Sequence, residues 1–327
     1  MQKSGTATGA SVGERVLEMR VRERITVAQD VAHLVLEGDS SGPLPTWEPG
    51  AHIDLLLTAS LVRQYSLCGD PRNESCYEIA VLREPDGRGG SAFVHDKLDV
   101  DARVTVHGPR NHFSLVDAER YLFIAGGIGI TPILPMIEAV AHSGRPWRLA
   151  YGGRSRHSMA FGADLAALYA ENVTLWPQDE KGLLPLDDLL ADAAEGTSVY
   201  CCGPEALLAA VEERRHSLPA EILHVERFSP KSITPVEVEK TFVVELARSG
   251  KSVTIPAGAN LLDTLAEMGV DVTHSCREGT CGTCITTVLA GIPDHRDSVL
   301  TAAERATNDI FLPCVSRCLS ETLVLDL

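Results

Sequence analysis

The sequence predicts three domains in series: an antiparallel β-barrel, an α/β nucleotide-binding domain on a parallel sheet, and a small C-terminal β-grasp domain. Three observations carry that prediction. The first third consists of short strand-like segments divided by Gly- and Pro-containing turns, the pattern of an antiparallel sheet. The middle third changes to apolar strands, each trailed by a helix or loop, as a parallel sheet requires. The last third sets Cys276-Arg-Glu-Gly-Thr-Cys281-Gly-Thr-Cys284 between further strand-like segments, with Cys314 downstream. A chain of 327 residues exceeds one ordinary hydrophobic core and suits domains of roughly 100 residues each.

Composition narrows the partners. Lys and Arg total 29 against 45 for Asp and Glu, a formal charge of −16, which argues against nucleic acid or an anionic membrane surface. An ordinary acidic soluble protein has the same balance. No apolar run approaches the roughly 18 residues of a membrane span. Nine cysteines without an apolar signal segment point to a reducing, cytoplasmic compartment. Residues 1–13, rich in Gly, Ser, Thr and Ala, read as a disordered tail.

Residues 14–117 form the first domain, with strands expected at Arg22–Thr26, His33–Glu37, His52–Thr58, Tyr77–Arg83 and Arg103–His107. Gly42-Pro43, Pro49-Gly50 and Asp70-Pro71 divide them. Arg63-Gln-Tyr65-Ser66 follows one strand directly; an Arg, an aromatic hydroxyl and a Ser so spaced suit an anion and a planar ring together, and also suit a solvated strand. Gly87-Arg88-Gly89-Gly90-Ser91 then leads into a helix expected over Ala92–Leu98. Ser91 reads as its N-cap, so that glycine amides and a helix N-terminus face a phosphate. A glycine-rich hairpin turn is the alternative.

Residues 118–228 form the second domain. Strand Tyr121–Ala125 runs into Gly126-Gly127-Ile-Gly129-Ile-Thr131-Pro132 and a helix from Ile133 to about His142. Strand, glycine turn and helix in this order make a nucleotide-binding unit, with Thr131 capping the helix and Pro132 in its first turn. The full dinucleotide fingerprint is missing, and a tight packing turn reads equally well. Strands at Trp147–Tyr151, Asn172–Trp176 and Ser198–Cys202 follow. Cys202-Gly203-Pro204 ends the last one, at the edge where open α/β sheets bind ligands, although a cysteine there is more often packed than reactive. Two prolines mark 229–238 as a linker.

Residues 239–327 begin with alternation over Thr241–Ala247, a turn at Ser249-Gly250, strand Val253–Ile255 and a helix over Leu261–Met268, and end on strand Thr322–Leu327. The cysteines between them follow C-x4-C-x2-C…C, the plant-type spacing for the four thiolates of a [2Fe–2S] cluster. Each iron takes two thiolates, and Gly279 and Gly282 let the loop close around them. Structural zinc usually takes two separated pairs instead.

With these residues together, from Glu14 to Leu327, the chain resembles the phthalate dioxygenase reductase family, which includes the reductase components of vanillate O-demethylases. Arg63-Gln-Tyr65-Ser66 matches the flavin motif R-x-Y-[ST] of that family, and Gly87–Ser91 its flavin-phosphate segment. Gly127-Ile-Gly129-Ile-Thr131-Pro132 and Cys202-Gly203-Pro204 match its nicotinamide-nucleotide motifs. The order flavin, nucleotide, ferredoxin is itself distinctive. The resemblance implies FMN against Arg63, Tyr65 and Ser66, its phosphate near Gly89, Gly90 and Ser91, and Phe228 covering the ring. It implies Cys202 near the nicotinamide, where hydride passes, and Cys276, Cys281, Cys284 and Cys314 on the cluster, leaving Cys318 a packed thiol. NADH is the implied donor, but Arg154 and Arg156 stand where an acidic residue would bind the ribose, so NADPH is tolerated. The implied partner is a separate oxygenase with a Rieske centre, docking beside the polar loop Arg277–Thr280. A ferredoxin-like carrier or redox sensor without NAD(P)H turnover is the competing expectation.

Overall fold

The computed structural model describes residues 15–39, 42–191, 193, 196–214, 222–230 and 239–327. The tail expected over 1–13 and residues 231–238 of the expected linker lie outside the described residues. Strands β1 (Val16–Ala28), β2 (Val31–Gly38), β3 (Ala51–Thr58), β4 (Leu61–Ser66), β5 (Cys76–Leu82) and β6 (Arg103–Asn111), with helix α1 (Gly90–Lys97), make the first unit. Its six strands pair antiparallel in the order β4-β3-β6-β1-β2-β5. Leu67 and Ile79 form a bridge between its edges. Met19, Leu34, Leu36, Ile53, Leu55 and Ile79 fill the inside.

The nucleotide unit runs β7 (Arg120–Gly126), α2 (Ile133–Ser143), β8 (Trp147–Gly153), α3 (Gly162–Leu168), β9 (Val173–Pro177), α4 (Gln178–Lys181), α5 (Leu186–Ala191), β10 (Thr197–Cys202), α6 (Glu205–Glu213) and β11 (Leu223–Glu226). Its sheet is parallel throughout, in the order β11-β10-β7-β8-β9. The apolar run of β7 follows from burial on both faces. Tyr121, Phe123 and Ala125 enter one core while Leu122 and Ile124 enter the other.

The C-terminal unit contains β12 (Phe242–Leu246), β13 (Lys251–Ile255), α7 (Leu261–Glu267), β14 (Thr286–Ala290), β15 (Pro293–Asp294), α8 (Ala302–Thr307), β16 (Ile310–Phe311), β17 (Arg317–Cys318) and β18 (Thr322–Leu325). A mixed sheet, β13-β12-β18-β14-β16, packs against Leu261, Leu262 and Leu265 of α7. Asn260 caps that helix by accepting from the Leu262 amide at 3.0 Å.

Arg63–Ser66 lies in a strand of its own, β4, the strand reading that its residues also suited; Tyr65 packs against the core and Ser66, on the other face, is buried too. Two local expectations are corrected. Ser91 is not the cap of α1: Gly89, left-handed at φ 81°, turns the chain into the helix, and the Ser91 hydroxyl accepts from the Glu84 amide at 3.0 Å. Thr131 does not cap α2. A 3-10 turn over Gly127–Ile130 comes first, and the Thr131 hydroxyl donates to the Ile128 carbonyl at 2.9 Å, leaving Pro132 at the cap position.

Candidate functional site

The cysteine loop lies between α7 and β14, and its four expected ligands come together. Cys281, Cys284 and Cys314 are buried, and Cys276 is half-buried. The thiols fall into two hydrogen-bonded pairs, Cys276 with Cys281 and Cys284 with Cys314. Within each pair the shared bond lowers the pKa of one thiol, Cys276 or Cys284, and raises that of its partner, Cys281 or Cys314. The Glu278 amide also donates to Cys276 Sγ at 3.3 Å, and the Thr283 hydroxyl to Cys281 Sγ at 3.1 Å. Among the described residues no three His, Cys, Asp or Glu converge as ligands of one ion. Two pairs of thiols fit two irons with two thiolates each.

The loop needs its glycines. Gly279 and Gly282 both adopt φ +70°, and a Cβ on Gly279 would lie 2.6 Å from Val315 Cγ2. The Gly279 carbonyl accepts from the Ser298 amide at 2.8 Å, and Asn260 Nδ2 donates to the Cys314 carbonyl at 2.8 Å, tying the far cysteine to the α7 cap. Cys318 is occupied elsewhere, its Sγ 3.2 Å from the Ser320 carbonyl.

In the first unit, the strand motif and the glycine loop meet. Arg63 Nη2 donates to the Arg88 carbonyl at 2.8 Å, and a Cβ on Gly90 would fall 2.3 Å from Arg63 Cγ. Glycine amides at the start of α1 and a guanidinium therefore share one corner, a donor set that fits a phosphate. Tyr65 packs against the core, and burial pushes its hydroxyl up. Ser66 is buried and points at the second unit, where its hydroxyl donates to Glu226.

Glu226 was not anticipated from the sequence. It closes β11 opposite Cys202 of β10, and burial raises its carboxyl to about 8 against the pull of Ser66. Its Oε2 is buried without a hydrogen-bond partner. Burial first, then Glu226, holds the Cys202 thiol well above its ordinary range, so this cysteine is a neutral thiol. Phe228, two residues beyond Glu226, is 43% exposed.

The glycine turn of β7 and the Cys202-Gly203-Pro204 turn of β10 pack directly together. A Cβ on Gly129 would lie 2.3 Å from the Cys202 carbonyl, and one on Gly203 would lie 3.0 Å from Gly126 Cα. Gly127, at φ +54°, has nothing within 4 Å of its Cβ position, so the turn keeps an open side for a ligand. Arg154 is exposed. Arg156 is bonded to Glu180 through Nε at 2.8 Å and Nη2 at 3.1 Å. In the loop Arg277–Thr280, beside which the oxygenase is expected to dock, Arg277 is exposed and pairs with Asp263, while Glu278 faces the first unit and pairs with Arg88.

Fold and site together define a flavin- and iron–sulfur-dependent oxidoreductase. The family model "2Fe-2S iron-sulfur cluster binding domain" matches residues 244–319, and "Dimethylamine monooxygenase subunit DmmA-like, N-terminal domain" matches 110–220. Phenoxybenzoate dioxygenase subunit beta of Ectopseudomonas oleovorans is 42% identical over 99% of this chain and 100% of its own. Vanillate O-demethylase oxidoreductase of a Pseudomonas species is 40% identical over 95% and 100%. The structure of phthalate dioxygenase reductase matches with a TM-score of 0.69 and 34% identity over 95% of this chain and 98% of that one. An intact type IV self-sufficient cytochrome P450 monooxygenase matches with a TM-score of 0.89 and 42% identity; it covers 98% of this chain, which spans 43% of its length. The chain belongs to the phthalate dioxygenase reductase family, and it is a reductase component carrying electrons from NAD(P)H through flavin and [2Fe–2S] to a partner oxygenase.

Proposed function

We propose that the flavin is FMN, the donor NADH, and the acceptor an oxygenase with a Rieske centre. The contact of Arg63 with Gly90 and Arg88 carries the flavin reading, because it sets a phosphate cradle against the motif that lines the ring; FMN in particular rests on the family resemblance. Domains at 14–117, 118–228 and 239–327 follow, the first a barrel whose edges meet at Leu67 and Ile79. When bound, the flavin takes up hydride and gives single electrons, which the cluster relays. Tyr65 and Ser66 orient the ring, Phe228 covers it, and Cys202 with Gly203 and Pro204 bounds the nicotinamide pocket. Gly127 and Gly129 give the pyrophosphate close backbone approach, beside Thr131 and Pro132.

Glu180 supports NADH. It occupies the Arg156 guanidinium and presents a carboxylate that accepts from a ribose hydroxyl and repels a 2′-phosphate. Arg154 remains the group on which NADPH tolerance rests. The Rieske assignment is supported by the dioxygenase and demethylase names of the relatives, and this chain has no C-x-H and C-x2-H pair of its own. Heat release of the flavin followed by chromatography tests the proposal: FMN is expected, and stoichiometric FAD would overturn it.

A further inference from the structure

Two side chains of the first unit reach the cysteine loop: Arg88, inside the glycine segment matched to the flavin phosphate, and His112, which lies outside the flavin motifs and the ligand set. Arg88 sits inside the glycine loop, with its carbonyl held by Arg63 and its guanidinium paired with Glu278. Glu278 lies two residues past Cys276, and its amide donates to that sulfur. One continuous chain of contacts therefore runs from Arg63 to a cluster ligand.

His112 makes the second contact. It follows β6, and its neighbour Asn111 is fixed by donating to the Pro49 carbonyl at 3.0 Å and accepting from the Phe113 amide at 2.9 Å. Its imidazole stacks on buried His52, ring centroids 5.8 Å apart, and hydrogen-bonds to the backbone of Cys281. On the loop side, a Cβ at Gly282 would lie 2.4 Å from His112 Nε2. The ring thus fills the space between His52 and Gly282, and the loop has a glycine where the ring comes closest.

We propose that Arg88 and His112 form a receptor on the flavin-binding domain that grips the cysteine loop and fixes the cluster's distance from the flavin; this rests on the electron route proposed above. Arg88 and His112 are positioning residues, acting through Glu278 and through the Cys281-Gly282 backbone. The cradle expected to hold the flavin phosphate also carries the grip on the loop, so the two centres are referenced to one rigid corner. A further consequence is that the Glu278 side of the loop is taken intramolecularly, which leaves the Arg277 side for an acceptor.

The test uses the full chain loaded with flavin and cluster, mixed anaerobically with NADH in a stopped-flow instrument. In His112→Ala and Glu278→Arg, flavin bleaching should keep its rate, and the later cluster bleaching should slow on the order of tenfold or more, the scale of misplacement effects. Amide exchange over 276–284 should speed up in both variants while cluster absorbance stays. The pair Arg88→Glu with Glu278→Arg, normalised to bound flavin, should recover part of the loss, as a coupled pair does, and His112→Phe should recover part of the stacking effect. Unchanged cluster bleaching together with unchanged exchange would overturn the proposal. So would loss of cluster absorbance in both variants, which would assign these contacts to holding the cluster and not to its position. If NADH fails to bleach the flavin of the unaltered chain, the electron route fails, while the exchange comparison still decides the receptor.

Discussion

Where the flavin-binding unit meets the nucleotide unit, Val31, Ala80 and Ala160 are buried together with Phe161 and Ile128 against them, and a buried carboxyl, Glu226, takes its bond from Ser66. That junction also has an ion pair, Arg72 with Glu138. Where the first unit meets the ferredoxin unit, the contacts among the described residues include an ion pair, Arg88 with Glu278, and one imidazole, His112, against Gly282 and the Cys281 backbone. The difference follows the chemistry each junction serves. Hydride moves only between rings in contact, which calls for an apolar, close-packed junction that excludes water. Single electrons cross space, so a few polar contacts that hold a distance suffice.

The sharpest way to break this comparison is to remove the cluster and leave the other junction alone. Cys314→Ser should abolish the visible absorbance of the cluster, because Cys284 loses its paired thiol. Cys318→Ser should leave it, since that sulfur bonds to the Ile292 carbonyl and to Ser320, away from the four expected ligands. Absorbance spectra of the two purified proteins check both outcomes.

Glu226 probes the buried junction through pH. Its folded carboxyl, raised to about 8 from 4.5 by burial, keeps a proton that the unfolded chain releases. Its contribution to stability is therefore fully present below pH 4.5 and is lost as pH rises through about 8. Glu226→Gln should remove that dependence, a difference of about 2–3 kcal/mol between about pH 6 and 8.5 by urea unfolding. A parallel pH profile in the two proteins would place the carboxyl in water.

A smaller effect is expected away from both junctions. Glu180→Ala frees Arg156 and removes a carboxylate from the ribose side, so the NADPH-to-NADH ratio of kcat/KM should rise by about tenfold, one charge-assisted bond. No change would assign Arg156 and Glu180 to the surface alone.

The parts of this molecule legible in sequence are those where one residue type has one use. Four cysteines at ligand spacing announce two irons, and the apolar runs of β7 and β10 announce a sheet covered on both faces. What stayed hidden depends on contacts between distant segments. Glu226 looks like an ordinary charged residue at the end of β11 until Ser66 arrives from another unit. Glu278 looks like an exposed loop residue until Arg88 meets it. Ser91 and Thr131 carry good capping side chains, but glycine geometry and a 3-10 turn placed the helix starts one or two residues away. Local preference names candidates, and tertiary contact chooses among them.

The route from nicotinamide to flavin to cluster is tested most directly in the Cys314→Ser chain loaded with flavin and given NADH under anaerobic conditions, with cytochrome c then added. The flavin should bleach at the rate of the unaltered protein, and cytochrome c reduction should fall to a small residue, because the outward path passes through the cluster. Cytochrome c reduction at the unaltered rate would contradict the series order, and failure of the flavin to bleach would contradict the independence of the two junctions.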